Sequence, residues 1–168
     1  MNQHFSSQRG FHILEFLILL GIIGLVGVFA AIAVRAARSE QRDTVRLAQV
    51  RQIQLSLEDF FIVRNTYPNG ERLALGVDQA RCLSENGFVP SCSSESNVLA
   101  SSIQPLPQSK STGNLICGNQ KNVACYSIFQ DGTNYGIEFE LENDWKLIGL
   151  KKGINCAYPE GMKSGSCD

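Results

Sequence analysis

The sequence predicts an α+β protein: a long N-terminal α-helix, membrane-spanning in its first half, packed on a small antiparallel β-sheet head. Three observations predict it. From Phe16 to Val34, nineteen consecutive residues carry no charge and no strongly polar side chain, and about twenty apolar residues suffice for a helix to cross a bilayer. Residues 35–64 contain no glycine or proline, and Leu47, Val50, Ile53, Leu57, Phe60 and Phe61 recur mostly at three- and four-residue steps, the stripe of an amphipathic helix. Tyr135, Ile137, Phe139 and Leu141 alternate with Gly136, Glu138, Glu140 and Glu142, the period of a strand with one oily and one acid face.

The helix is expected from about His12 to Arg64. At 1.5 Å per residue that is ~80 Å, more than twice a bilayer core. Residues 11–34 form the apolar half and residues 35–64 the amphipathic half, which lies on the head. Asn65-Thr66-Tyr67-Pro68-Asn69-Gly70 ends the helix with turn chemistry, and the head takes residues 65–168. Residues 71–116 are rich in serine, glycine, proline and asparagine and read mostly as loop, with a short helix near Val77–Ser84. A meander follows. Val123–Gln130 is a strand, Asp131-Gly132 a hairpin turn, Tyr135–Leu141 the second strand, Asn143-Asp144 a turn and Trp145–Leu150 the third strand. The oily strand face is expected against Leu57, Phe60 and Phe61. The Cys156–Cys167 segment reads as a C-terminal loop.

A net charge of −1 creates no field that points to nucleic acid. The charge is uneven, though. Arg35, Arg38, Arg42, Arg46 and Arg51 face only Glu40 and Asp43, whereas residues 82–168 carry six lysines against nine acids. Such runs are expected to be solvated faces; a basic stalk could otherwise attract the acidic head of another copy. Glu138, Glu140 and Glu142, at two-residue spacing, likewise read as a solvated face and not as paired catalytic carboxylates.

Six cysteines, Cys82, Cys92, Cys117, Cys125, Cys156 and Cys167, all lie beyond the apolar segment. None forms a Cys-x-x-Cys pair and none has a histidine nearby, which argues against zinc. An even number in a head of this size points to disulfides and an oxidising compartment. Of the ~15 possible pairings, sequence neighbours are favoured: 82 with 92, 117 with 125, 156 with 167. The only histidines are His4 and His12. The head therefore lacks the base for Ser-His-Asp or Cys-His chemistry, and no catalytic residue is assigned. Asp131, Asn134, Asn143 and Asp144 offer oxygens but no fixed calcium-loop spacing, so no metal and no cofactor is expected.

Three readings of the amino terminus compete. One is a secretory signal cut near Ala31-Ile32-Ala33; one is an uncleaved anchor; one is a leader cut ahead of the apolar run. Glu15 separates them. A carboxylate near the front of such a run costs a few kcal/mol in lipid unless something meets it, and the first two readings have no use for it. Cleavage after Gly10 would free an amine on Phe11, one helical turn from Glu15. The amine of one subunit can then meet Glu15 of a neighbour stacked with an axial offset, and the pair fixes a register. Gly21, Gly24 and Gly27, at three-residue steps along one side, allow close helix approach where lipid supplies no hydrophobic drive. Charge counting across the span, with Arg9 before it and five arginines after, would by itself place the head in the cytoplasm; cysteine usage places it outside.

Arg9-Gly10-Phe11, Glu15, Gly21-Ile22-Ile23-Gly24 and Tyr67-Pro68 together resemble the class III leader and first helix of type IV pilins and type II secretion pseudopilins. The resemblance covers residues 9 to about 70. His12 and Phe16 depart from the usual types, and no proline interrupts the helix. The resemblance implies a leader of residues 1–10 removed by a prepilin peptidase after Gly10, N-methylation of Phe11, and Glu15-driven docking into a growing filament. Implied partners are further copies and other pilin-like subunits, the inner-membrane assembly platform and the lipid bilayer. The implied location is the cytoplasmic membrane with the head outside, then a periplasmic or cell-surface filament. The alternative, from a different class, is a monomeric membrane-anchored or secreted binding domain with an ordinary signal; an exported enzyme is weaker still.

Overall fold

The computed structural model describes residues 13–77, 79–92, 101–129 and 131–167. The chain divides into two compact units, one ending at Arg38 and one beginning at Ser39. A single helix, α1 (Ile13–Arg64), supplies residues to both. It stops where the sequence turns against it. Asn65 takes a left-handed conformation (φ 56°), and its N–H closes on the Phe61 carbonyl at 2.7 Å, a C-terminal cap that asparagine tolerates better than most residues. Thr66, Tyr67 and Pro68 then leave the helix axis.

In the second unit, five antiparallel strands form one sheet: β1 (Leu73–Leu75), β7 (Ala124–Ile128), β8 (Tyr135–Leu141), β9 (Gly153–Tyr158) and β10 (Gly161–Ser164), in the spatial order β1-β7-β8-β9-β10. A smaller sheet orders β3 (Gly87–Val89), β2 (Cys82–Ser84) and β4 (Ser101–Ser102), and β5 (Ile116–Cys117) pairs with β6 (Gln120–Lys121). Leu47, Val50, Ile53, Leu57 and Phe60 of α1 share one buried core with Tyr126, Tyr135, Ile137, Phe139, Leu141 and Ala157, with Phe61 partly buried at its margin. The stripe predicted on the helix and the oily face predicted on the strand thus meet. Each large side chain fully buried this way contributes about 1.5–3 kcal/mol.

Three sequence expectations are corrected. Among the described residues of 77–84 there is no helix: Cys82–Ser84 is strand β2, paired to both β3 and β4. The chain reverses just before it, at Gly76, whose N–H donates to the Ala80 carbonyl (2.8 Å) while Ala80 N–H donates to Val77 (3.0 Å). Trp145–Leu150 is not the third strand of the meander. Lys146–Ile148 is a 3-10 turn closed by a left-handed Gly149, and β9 pairs with β8 instead. The Cys156–Cys167 segment is no loop either, since β9 and β10 form a hairpin across Pro159-Glu160.

The three disulfides join Cys82 to Cys92, Cys117 to Cys125 and Cys156 to Cys167. They are the sequence-neighbour pairs, and each closes a loop of about ten residues. Gly136 of β8 makes room for the last of them; a Cβ there would meet Cys167 Sγ at 2.7 Å.

Gly76 is a second place where only glycine fits. Its φ is +80°, and an added Cβ would lie 2.7 Å from the Gln104 carbonyl oxygen. Gly76→Ala is expected to destabilise the head by about 2 kcal/mol or more, from left-handed strain plus backbone displacement. The measurement is the denaturant midpoint of the oxidised full chain in detergent against wild type.

Candidate functional site

Gly10 and Phe11, the predicted cleavage and methylation residues, lie outside the described residues. Glu15 is in the first turn of α1 and exposed, with no hydrogen-bond or ion-pair partner among the described residues. Around it the side chains of Ile13, Leu14, Phe16, Leu17 and Ile18 stand exposed, and so do the large apolar residues on to Val34. They occupy every side of the helix, as in a membrane span or a bundle core and unlike a surface helix. The segment is long and apolar enough to cross a membrane. Gly21, Gly24 and Gly27 have open space where a Cβ would stand, so nothing among the described residues requires glycine there.

The second concentration of functional groups lies in the head, where α1 meets the end of β8. Asp43 and Arg46 are 0% and 1% exposed. They occupy the same helical stripe as Leu47, Val50 and Leu57, so the fold carries them into the core with the apolar residues. Asp43 accepts the backbone N–H groups of Glu142 (2.9 Å) and Asn143 (2.9 Å), the Asn143 side-chain amide (2.9 Å) and Arg46 Nη1 (2.8 Å). Arg46 also donates to Glu142 Oε1 (2.9 Å), the Pro107 carbonyl (2.7 Å) and Thr112 Oγ1 (3.3 Å). Arg42 grips the same Glu142 carboxylate with Nε (2.6 Å) and Nη2 (2.7 Å). Ser109 and Ser111 donate to its Oε2 at 2.7 and 2.5 Å. The lone pairs and charges of this buried group are thereby met, the condition under which burying ions is tolerable.

The acid face of β8 is therefore not solvated, contrary to the sequence reading. Glu140 and Glu142 are buried. Glu140 Oε2 accepts three successive backbone N–H groups, from Gly113 (2.6 Å), Asn114 (3.1 Å) and Leu115 (3.3 Å). Glu138 accepts from Cys167 N–H (3.1 Å) and meets Arg72 at 3.4 Å. Each glutamate holds down a different segment: the C-terminus, the 113–115 loop, and the helix with the 109–111 loop. Alternation along β8 marked these residues but could not show that loops cover that face. Arg42 and Arg46 likewise turn inward to their own head, neither free in solvent nor turned to another copy. The available sign was positional, since Asp43 and Arg46 fall three- and four-residue steps before Val50. Of the oxygens considered for calcium, those of Asp131 accept from Thr133, Asn143 Oδ1 accepts from Ser39 and Asp144 Oδ1 accepts from Lys152 N–H.

The Arg42 guanidinium, helped by Ser111, Ser109 and Arg46 and opposed by burial, holds the Glu142 carboxyl well below its ordinary value of 4.5. A depressed carboxylate contributes stability above its unfolded value and loses it as pH falls toward the folded one. The head is thus expected to keep its full melting temperature down to about pH 5 and to lose it progressively below about pH 4. Glu142→Gln should flatten that acid limb, as read by thermal melts between pH 2 and 7.

No protein-family model matches this chain, and comparison with curated proteins and with solved structures finds no match either.

Proposed function

We propose that the chain is a pilin-like structural subunit of a type IV pilus or a secretion pseudopilus. It is made as a precursor, inserted through residues 11–34, cleaved after Gly10 by a prepilin peptidase and methylated on Phe11. It polymerises through α1, with Glu15 of one subunit matched to the new amine of its neighbour, and its head works mechanically or adhesively and not as a catalyst.

One observation carries the reading: a helix that is apolar on every side across residues 13–34, with a Glu15 in its first turn that has no partner among the described residues, continues as the core helix of a disulfide-stapled head. Fifteen large apolar side chains from Ile13 to Val34 stand in the open. At about 1.5–3 kcal/mol each, they require a cover of lipid or of other helices. The helix and the disulfides suggest a membrane-anchored protein with its head outside the cytoplasm. Glu15 adds the finer point, because an anchor alone gives a carboxylate no cation. That residues 13–168 contain no histidine supports a non-catalytic role.

The deciding experiment is intact-mass and N-terminal peptide measurement on the protein from its own host. A mature chain beginning at N-methylated Phe11 supports the subunit. A chain beginning at Val34 means a secreted domain, and one beginning at Met1 means a plain anchor; either defeats the proposal.

A further inference from the structure

We infer that the outer edge of β10, with the groove beside it, is a docking site for an extended segment of another protein that presents a single lysine or arginine to the groove. The site lies wholly within the head unit, and the inference does not depend on the subunit reading.

The edge is open. β10 pairs with β9 and ends the five-stranded sheet. The Gly165 N–H donates to the Ile154 carbonyl at 3.0 Å, which fixes the phase of the ladder. Antiparallel residue pairs alternate between bonded and unbonded. Gly161 and Lys163 therefore turn their N–H and C=O groups to β9, and Met162 and Ser164 turn theirs outward. Those outward groups have no partner among the described residues, so an incoming strand can pair with them. A lysine on an edge strand commonly guards it. Lys163 instead lies on the face opposite Met162, its ammonium 5.5 Å from the centre of the Tyr158 ring.

On the Met162 side the edge borders a groove of about 470 Å³ between α1 and the β9–β10 turn, walled by Leu55, Ile148, Pro159 and Met162. Gln54 Nε2 donates to the Tyr158 carbonyl at 2.6 Å, which ties the helix to the hairpin and keeps the groove formed. Leu55 is 68% exposed, so this apolar wall stands open to the stem of an entering side chain. A strand added to β10 sends alternate side chains to that side.

Electrostatics selects the occupant. Glu58 lines the groove and is half-buried. The Tyr67 hydroxyl donates to its two carboxylate oxygens at 3.0 and 3.1 Å, and the Tyr135 hydroxyl to Oε1 at 3.4 Å. The carboxylate is held in place, yet no cation pairs with it among the described residues. Glu160, exposed at the hairpin tip, lines the same groove. Arg51 stands at the other end, two helical turns or about 10 Å along α1 from Glu58, and disfavours a run of several bases. One lysine or arginine answers this pattern: its stem lies along Leu55 and Met162 and its charged end meets Glu58, while its backbone extends the sheet. The β10 edge of a second copy fits less well, because its groove side carries Met162 and Ser164 and no cation.

The probe is a blocked, fluorescein-labelled peptide, Thr-Val-Thr-Lys-Thr-Val-Thr, titrated by anisotropy against the oxidised full chain in neutral detergent. Saturable binding is expected. The same peptide with norleucine in place of lysine should bind about tenfold more weakly, because a charge-assisted hydrogen bond is lost. Glu58→Gln keeps an acceptor for Tyr67 and should bring the lysine peptide down to the norleucine level. Ser164→Pro removes one outward N–H and leaves the pairing with β9 intact, the one setting in which an edge strand accepts proline. It should weaken both peptides by about tenfold with melting unchanged. Absence of saturable binding overturns the site. Equal binding of the two peptides overturns the basic side chain as its occupant. Binding indifferent to Ser164→Pro overturns strand addition. Self-association in sedimentation that excludes the peptide and is abolished by Ser164→Pro assigns the edge to a second copy and overturns the proposal as well.

Discussion

Arg46→Ala is expected to destabilise the head by about 3–5 kcal/mol, enough to unfold a marginal domain at ordinary temperature. The reason is asymmetry. Arg46 lies between Asp43 (2.8 Å) and Glu142 (2.9 Å), and its removal leaves two buried carboxylates near one another. Arg42 still neutralises Glu142, but Asp43 keeps only hydrogen bonds. The Pro107 carbonyl and Thr112 also lose their donor. Arg46→Lys keeps the charge but cannot reach four acceptors from one planar fork, so it should recover only part of the loss. Arg46→Met combined with Asp43→Asn removes charge from both sides and should cost less than Arg46→Ala alone; the coupling is read from a double-mutant cycle of denaturant midpoints. If Arg46→Ala melts within a degree or two of wild type, the network is not what holds helix, sheet and 109–111 loop together.

The other large effect concerns assembly. Under the proposed function, Glu15→Gln leaves insertion and cleavage intact and abolishes filaments. An unmatched amine at each subunit contact would cost about 3 kcal/mol or more, over a hundredfold in every addition step. The head should be unaffected, because Glu15 belongs to the other compact unit and is exposed. Normal melting with processed, membrane-held and unassembled subunits is the expected set of readings, by thermal melt, peptide mass and electron microscopy. Abundant normal filaments from the glutamine variant would refute the pairing role. The two predictions separate cleanly: Arg46 variants lose the fold, and Glu15 variants keep the fold and lose the polymer.

Both tests touch charges placed on one helix, yet the sequence disclosed them unequally. Glu15 was legible because its surroundings are local: an acid amid nineteen apolar residues is anomalous on inspection, whatever the rest of the chain does. The helix itself was legible for the same reason, from an apolar run followed by a stripe at helical spacing, as was the alternation of β8. Disulfide pairing between neighbours follows from short loops. Arg42, Arg46, Asp43, Glu140 and Glu142 were not legible, because their environment comes from residues 25 to 100 positions away. A charge looks solvated until the fold brings a loop over it. The 109–115 segment, loop by composition, does that for Glu140 and Glu142.

Strand order failed for a related reason. Trp145–Leu150 has strand composition, but Asp43 captures the backbone at Glu142 and Asn143 and ends β8 there. The next segment turns outward, and β9 takes the place beside β8. By itself the sequence determined the long helix, its apolar and amphipathic halves, the oily strand face it meets and the cysteine pairs, all set by local periodicity and short separations. Only the tertiary structure decided which charges are buried, what the acid face holds and which segment completes the sheet, because burial and pairing energies depend on contacts that no local pattern encodes.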